Sequence, residues 1–276
     1  MLIDSHQHFW KFDAQRDAWI TEDMQVIRRD FLADELHHTL RENGIDGCVA
    51  VQADQSEAET AFLHSLAEEN DFIKGVVGWV DLRSKTLPGR LDHYRRHCPR
   101  IKGFRHIVQG EPDDDFLLQN DFCEGVTALK DFGYTYDILI YPKQLPAALK
   151  FVERFPDQPF VIDHLAKPFI KDGKRDPWAA QMREIAKNGN VYCKVSGMVT
   201  EADWKGWKPD DFKPYLDVVF EAFGPDRLMF GSDWPVCLVA ASYAQVKGLV
   251  TDYLSGFSEK ERQAVMGGNA TAFYNL

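Results

Sequence analysis

Eight short runs rich in β-branched and apolar residues recur along this chain: Leu2–Ser5, Gly47–Val51, Ile73–Val80, Ile101–Ile107, Thr135–Ile140, Phe160–Asp163, Val191–Val195 and Arg227–Phe230. Between them lie longer stretches with helical periodicity, at Phe31–Asn43, Glu57–Asn70, Leu87–His97, Phe116–Phe132, Leu145–Phe155, Trp178–Lys187 and Phe212–Phe223. A strand that returns through a helix must lie parallel to its predecessor, so the alternation predicts a parallel sheet wrapped in helices. Eight units suit a closed (β/α)8 TIM barrel, α/β in class, as a single domain over residues 1–276. An open doubly wound sheet usually carries a glycine-rich nucleotide loop after its first strand, and none follows Ile3-Asp4-Ser5. Ser56-Glu57-Ala58-Glu59 and Ser258-Glu259-Lys260-Glu261 fit capping boxes, and Gly44 and Gly133 stand where helices end.

Composition narrows the partners. With 45% hydrophobic and 27% charged residues the chain reads as an ordinary globular protein. A formal charge of −11 repels phosphate backbones and anionic lipid, and predicts no nucleic-acid or membrane partner. The start, Met1-Leu2-Ile3-Asp4, puts a carboxylate where a signal peptide needs a basic and then an apolar run, which predicts a cytoplasmic protein. Five widely spaced cysteines without a CxxC pair suggest neither a disulfide framework nor a thiolate zinc site. Oligomeric state is not written in such patterns.

A barrel of this kind keeps its chemistry at the C-terminal ends of its strands. His6 and His8 alternate by two at the end of strand 1, so both can point to one side of the mouth, where a metal or a substrate is met. His164 closes strand 6 and Asp233 follows strand 8, on the same rim. Each has a plainer alternative: loop histidines, a histidine satisfied by Asp163, an aspartate capping Trp234-Pro235. Convergence of all four favours a site. Arg105 and His106 end strand 4 and add a fixed cation and a titratable group. For Arg105, binding a carboxylate or a polarised carbonyl and pairing with an internal acid both remain open. Trp10 and Trp79 fall after strand ends and suit a wall for a sugar-like ring, with core anchoring as the alternative. Lys102 and Lys194 are left unassigned, because strand-end lysines commonly snorkel to solvent. No GxSxG elbow or histidine-activated cysteine appears, which leaves an activated water. Long connections at about residues 9–30, 108–115 and 196–211 are candidates for substrate walls.

Taken together, Ile3-Asp4-Ser5-His6-Gln7-His8-Phe9-Trp10, Gly78-Trp79-Val80-Asp81-Leu82, Lys102-Gly103-Phe104-Arg105-His106, Asp163-His164-Leu165-Ala166-Lys167-Pro168 and Phe230-Gly231-Ser232-Asp233-Trp234-Pro235 resemble the amidohydrolase superfamily, in its sugar-lactone hydrolase branch, over nearly the whole chain. The resemblance implies hydrolysis of a sugar-derived 1,4- or 1,5-lactone, of the L-fuconolactone or L-rhamnonolactone type, in carbohydrate catabolism. It implies Asp233 as general base, His6, His8 and His164 orienting water and substrate, Arg105 polarising the carbonyl, and His106 in the same catalytic group. Metal-rich relatives carry a further histidine at the end of strand 5, where this chain has Tyr136 and Asp137. A binuclear centre is therefore not expected. At most one divalent ion, zinc or manganese on His6, His8, His164 and Asp233, is implied, with metal-independent catalysis as the alternative. A metal-dependent non-oxidative decarboxylase and a non-catalytic sugar-acid binding protein are the competing functions.

Overall fold

The structure is a computed structural model that describes all of residues 1–276. Eight parallel strands follow one another around a barrel in sequence order: β1 Ile3–Gln7, β2 Gly47–Val51, β3 Ile73–Gly78, β4 Ile101–His106, β5 Thr135–Ile138, β6 Phe160–Ile162, β7 Val191–Val195 and β8 Leu228–Phe230. Helices α1 Ala33–Glu42, α2 Glu57–Glu69, α3 Leu87–His97, α4 Asn120–Phe132, α5 Leu145–Arg154, α6 Trp178–Ile185, α7 Pro209–Phe223 and α8 Tyr243–Tyr253 each follow their strand, and α9 Glu259–Gln263 and α10 Asn269–Tyr274 come last. The fold is the expected (β/α)8 barrel. No helix is long and apolar enough to cross a membrane.

Closure brings β1 against β8. The Ser5 hydroxyl donates to the Phe230 carbonyl at 2.6 Å, the His8 amide to Trp234 at 2.7 Å, and the Asp233 amide to His6 at 2.8 Å. Asp4 turns away from the axis and takes hydrogen bonds from the Ser232 amide and the Tyr243 hydroxyl, both at 2.9 Å, so α8 and the loop after β8 are pinned to β1.

Two apolar layers organise the rest. One lies between strands and helices, with aromatic packing such as Tyr136 against Phe151 and Phe160. The other fills the lower barrel axis with Ile3, Val49, Val51, Val77, Val161 and Met229, closed from below by Ala270 and Tyr274 of α10. Burying one such side chain contributes roughly 1.5–3 kcal/mol. The Ser56 hydroxyl caps α2 through the Glu59 amide, but the Glu59 side chain accepts from the Ala53 amide instead of returning to the cap. Helix α8 carries its own capping box, Ser242 with Gln245.

Candidate active site

The site begins with an irregularity in β1. Ile3 packs in the axial layer, and His6, three residues on, also faces the axis, whereas a regular pleat would turn them to opposite sides. The register of β1 against β2 shifts between Asp4 and Gln7, and the extra residue of this bulge re-aims the end of the strand. His6 and His8 thereby reach the mouth almost wholly buried.

His8 Nδ1 lies 2.8 Å from the Val51 carbonyl oxygen, which can only accept, so Nδ1 carries a proton and Nε2 is the atom turned to the site. That Nε2 lies 3.2 Å from His6 Nε2 and 3.3 Å from Asp233 Oδ1. The same carboxylate oxygen is 3.9 Å from His6 Nε2 and 3.8 Å from His164 Nε2. His164 is steadied by Ser196 Oγ, 2.8 Å from its Nδ1. Gly197, with φ of 63°, packs so closely that a β-carbon there would come within 2.5 Å of His164 Nδ1, so only glycine serves.

Backbone strain concentrates around these groups. His164, Leu165, Ala166 and Lys167 have φ of 54°, 55°, 55° and 50°, a left-handed turn without a glycine, and Asp233 has φ of 58°. Each such residue costs about 1–2 kcal/mol, and such outliers persist where surrounding packing over-determines them.

Burial alone would push the Asp233 carboxyl up, but His164, His8 and Lys167 more than reverse this and hold it below its ordinary value. Burial presses two of the imidazoles toward neutrality, moving His164 to about 4 and His6 well below its ordinary value.

Beneath this cluster sits a compensated charge network. Asp163 receives Arg105 at 2.9 Å on Oδ2 and Lys194 at 3.0 Å on Oδ1, and Oδ1 also lies 3.3 Å from His6 Nδ1. Lys194 also contacts Asp137 at 2.5 Å and His6 Nδ1 at 3.2 Å, while the Tyr274 hydroxyl donates to Asp137 at 2.8 Å. Arg105 donates further to the Gln52 carbonyl and side chain. Two acids and two bases thus neutralise one another inside the barrel. Burial raises the Asp163 carboxyl, yet Lys194, His6 and Arg105 win and hold it well below its ordinary value. Burial pushes Asp137 up to about 6, against the pull of Lys194.

The structure therefore gathers His6, His8, His164 and Asp233 at one point, with Arg105 directly below, its NH1 3.4 Å from His6 Nε2 and its charge paired with Asp163. His106, next in the pleat, turns to the helix side, where it meets Glu111 at 2.7 Å and stacks on Phe116. Trp10 is 1% exposed, donates to the Arg29 carbonyl, and packs against Trp19 and Phe31 with its ring 6.4 Å from that of His8. Trp79 is half-buried after β3, its backbone amide held by Thr60. Sequence reasoning missed Asp137, Asp163 and Lys194. The signal was available: Asp137 and Lys194 are charges in the axial phase of otherwise apolar strands, Asp163 directly follows β6, and with Arg105 the four balance in sign.

The donor set suits a cation. Two imidazole nitrogens and a carboxylate oxygen face one another across 3.2–3.9 Å, an arrangement that a positive centre, or a proton on His6 Nε2, satisfies. His6, His8 and Asp233 bring ligand atoms within 4.8 Å of one another, and so do His6, Asp163 and His164. Asp163 is already occupied by two cations, so the first set, extended by His164, is the freer one.

Comparison with known proteins agrees with this architecture. The sequence signature of the amidohydrolase family matches residues 3–276, and the chain belongs to that family. It is 43% identical to an L-fucono-1,5-lactonase of Burkholderia multivorans, across 100% of this chain and 96% of the relative. An L-fucono-1,5-lactonase of Burkholderia ambifaria is 35% identical, over 99% and 95% of the two chains. A crystal structure of an amidohydrolase from Burkholderia multivorans with bound zinc superposes with a TM-score of 0.96 at 43% identity, covering 100% of this chain and 99% of the other.

Proposed function

We propose that this chain hydrolyses a sugar-derived lactone of the L-fuconolactone type to its aldonic acid, with Asp233 as general base for an attacking water. The observation that carries the reading is the convergence of three imidazole Nε2 atoms on Asp233 Oδ1, within 3.3–3.9 Å, at the barrel mouth. An ionised carboxylate held below its ordinary range is ready to take a proton at neutral pH. The water oxygen bonds to the lactone carbonyl carbon as its proton passes to Asp233. The ring carbon–oxygen bond then breaks, and the departing alkoxide takes that proton back. His6, His8 and His164 orient the water and the carbonyl. Arg105, its charge paired with Asp163, supports His6 from beneath, the internal-acid alternative of the two that the sequence left open. The two full-length lactonase relatives support the substrate class.

His6, His8, His164 and Asp233 would hold one divalent ion, and imidazole with carboxylate suits zinc or manganese. The zinc in the related crystal structure supports this assignment. When bound, such an ion supplies a Lewis acid beside the base. A proton-release screen of aldonolactones on chelator-treated protein, with and without zinc or manganese, tests reaction, substrate and metal together. Acid should be released from a 1,5-lactone; silence across the panel under all metal conditions would sink the reading.

A further inference from the structure

We infer that Lys167 and Glu201 form the subsite that reads the ring hydroxyls of the substrate, an inference that rests on the lactonase reading. The left-handed turn after β6 aims His164 at Asp233 and, three residues later, delivers Lys167 to the same mouth. Glu201 arrives from the loop after β7, and the Lys171 amide ties the two loops together by donating to the Glu201 carbonyl at 3.0 Å.

The pair is held close without being satisfied. Lys167 Nζ lies 3.6 Å from Glu201 Oε1, beyond hydrogen-bond length, whereas the buried Lys194 contacts its two carboxylates at 2.5 and 3.0 Å. The Lys167 and Glu201 side chains are half-buried, 17% and 21% exposed, and their charged ends keep hydrogen-bonding capacity to spare. They also lie in the field of the base: Lys167 helps to hold Asp233 down, and the Asp233 charge adds to the burial that pushes Glu201 up. Tyr141, 36% exposed, places its ring 5.4 Å from the Lys167 ammonium.

An ammonium only donates and a carboxylate only accepts, while a hydroxyl does both. Set side by side, the two match a pair of neighbouring hydroxyls on one ring, and the Tyr141 face suits the ring's C–H surface. A lactone without hydroxyls leaves both charges unpaired when it enters. Discrimination by such polar groups is far larger than by apolar fit.

The test compares L-fucono-1,5-lactone with δ-valerolactone, which has the same ring without substituents, in wild type, Lys167→Met and the isosteric Glu201→Gln, with melting curves to confirm folding. The ratio of kcat/KM for the hydroxylated over the bare lactone should fall at least about tenfold in each variant, chiefly through KM. Equal losses on both lactones, or none on either, overturn the inference, the former reassigning the pair to electrostatic support of Asp233. If wild type opens neither lactone, the lactonase reading fails by itself. Calorimetric binding of L-fucono-1,5-lactone to Asp233→Asn protein, with and without Lys167→Met, still decides the subsite: weaker binding sustains it and equal binding overturns it.

Discussion

The two halves of the barrel axis solve the same packing problem differently. Below, Ile3, Val49, Val77, Val161 and Met229 fill the space with apolar side chains. Above, Arg105, Asp137, Asp163 and Lys194 fill it with charges that cancel. A buried ionic network is seldom more stabilising than a well-packed apolar one, so the upper layer is better understood as support for the histidines and Asp233 resting on it. The lower layer buys stability; the upper layer holds geometry.

The comparison can be broken at several points. The largest effect should come at the mouth itself: Asp233→Asn should lower kcat by about 10³-fold, read by proton release, with the circular dichroism spectrum unchanged. In the upper layer, Lys194→Met strands two carboxylates without their shared cation. Urea unfolding should show a loss of about 4 kcal/mol, partly recovered when Asp137→Asn is added; no recovery would mean that the network is not pairwise compensated. In the lower layer, Met229→Ala should cost about 3 kcal/mol of stability and leave kcat/KM within about twofold, separating packing from chemistry.

Glu59 offers a contrast with Asp163. It is also buried but has a single backbone amide, from Ala53, where Asp163 has two cations, and burial pushes its carboxyl from 4.5 up to about 7. The native state therefore holds a proton that the unfolded state has released, and stability falls as pH rises from about 4.5 to about 7. Glu59→Gln should remove this decline, adding on the order of 2 kcal/mol at pH 8 and little at pH 4. The smallest effect concerns activity: with Asp233 held down and His164 near 4, kcat/KM should stay flat from about pH 5 to 8 and fall only at more acid pH.

Strand and helix alternation made the barrel legible, since each period maps onto a physical repeat, and strand ends pointed to His6, His8, His164 and Asp233. What stayed hidden has specific causes. The bulge in β1 depends on pairing with a distant strand, so an alternation count alone could not reveal that Ile3 and His6 share a side. The turn from His164 to Lys167 contains no glycine to announce its positive φ values. Lys194 was set aside because an isolated strand lysine snorkels, and only the closed barrel supplies the Asp137 and Asp163 that make burial tolerable. His106 and Arg105 are neighbours in sequence, yet the pleat sends them to opposite faces.

The hydrogen bonds from Asp233 to His6 and from His8 to Trp234 cross the junction between the first and last strands. Base and histidines, more than two hundred residues apart in the chain, thus meet only when the ring is shut. Contacts of such long sequence separation form slowly. A partly folded ring, however helical, holds no assembled site, and the return of catalysis during refolding marks the moment of closure.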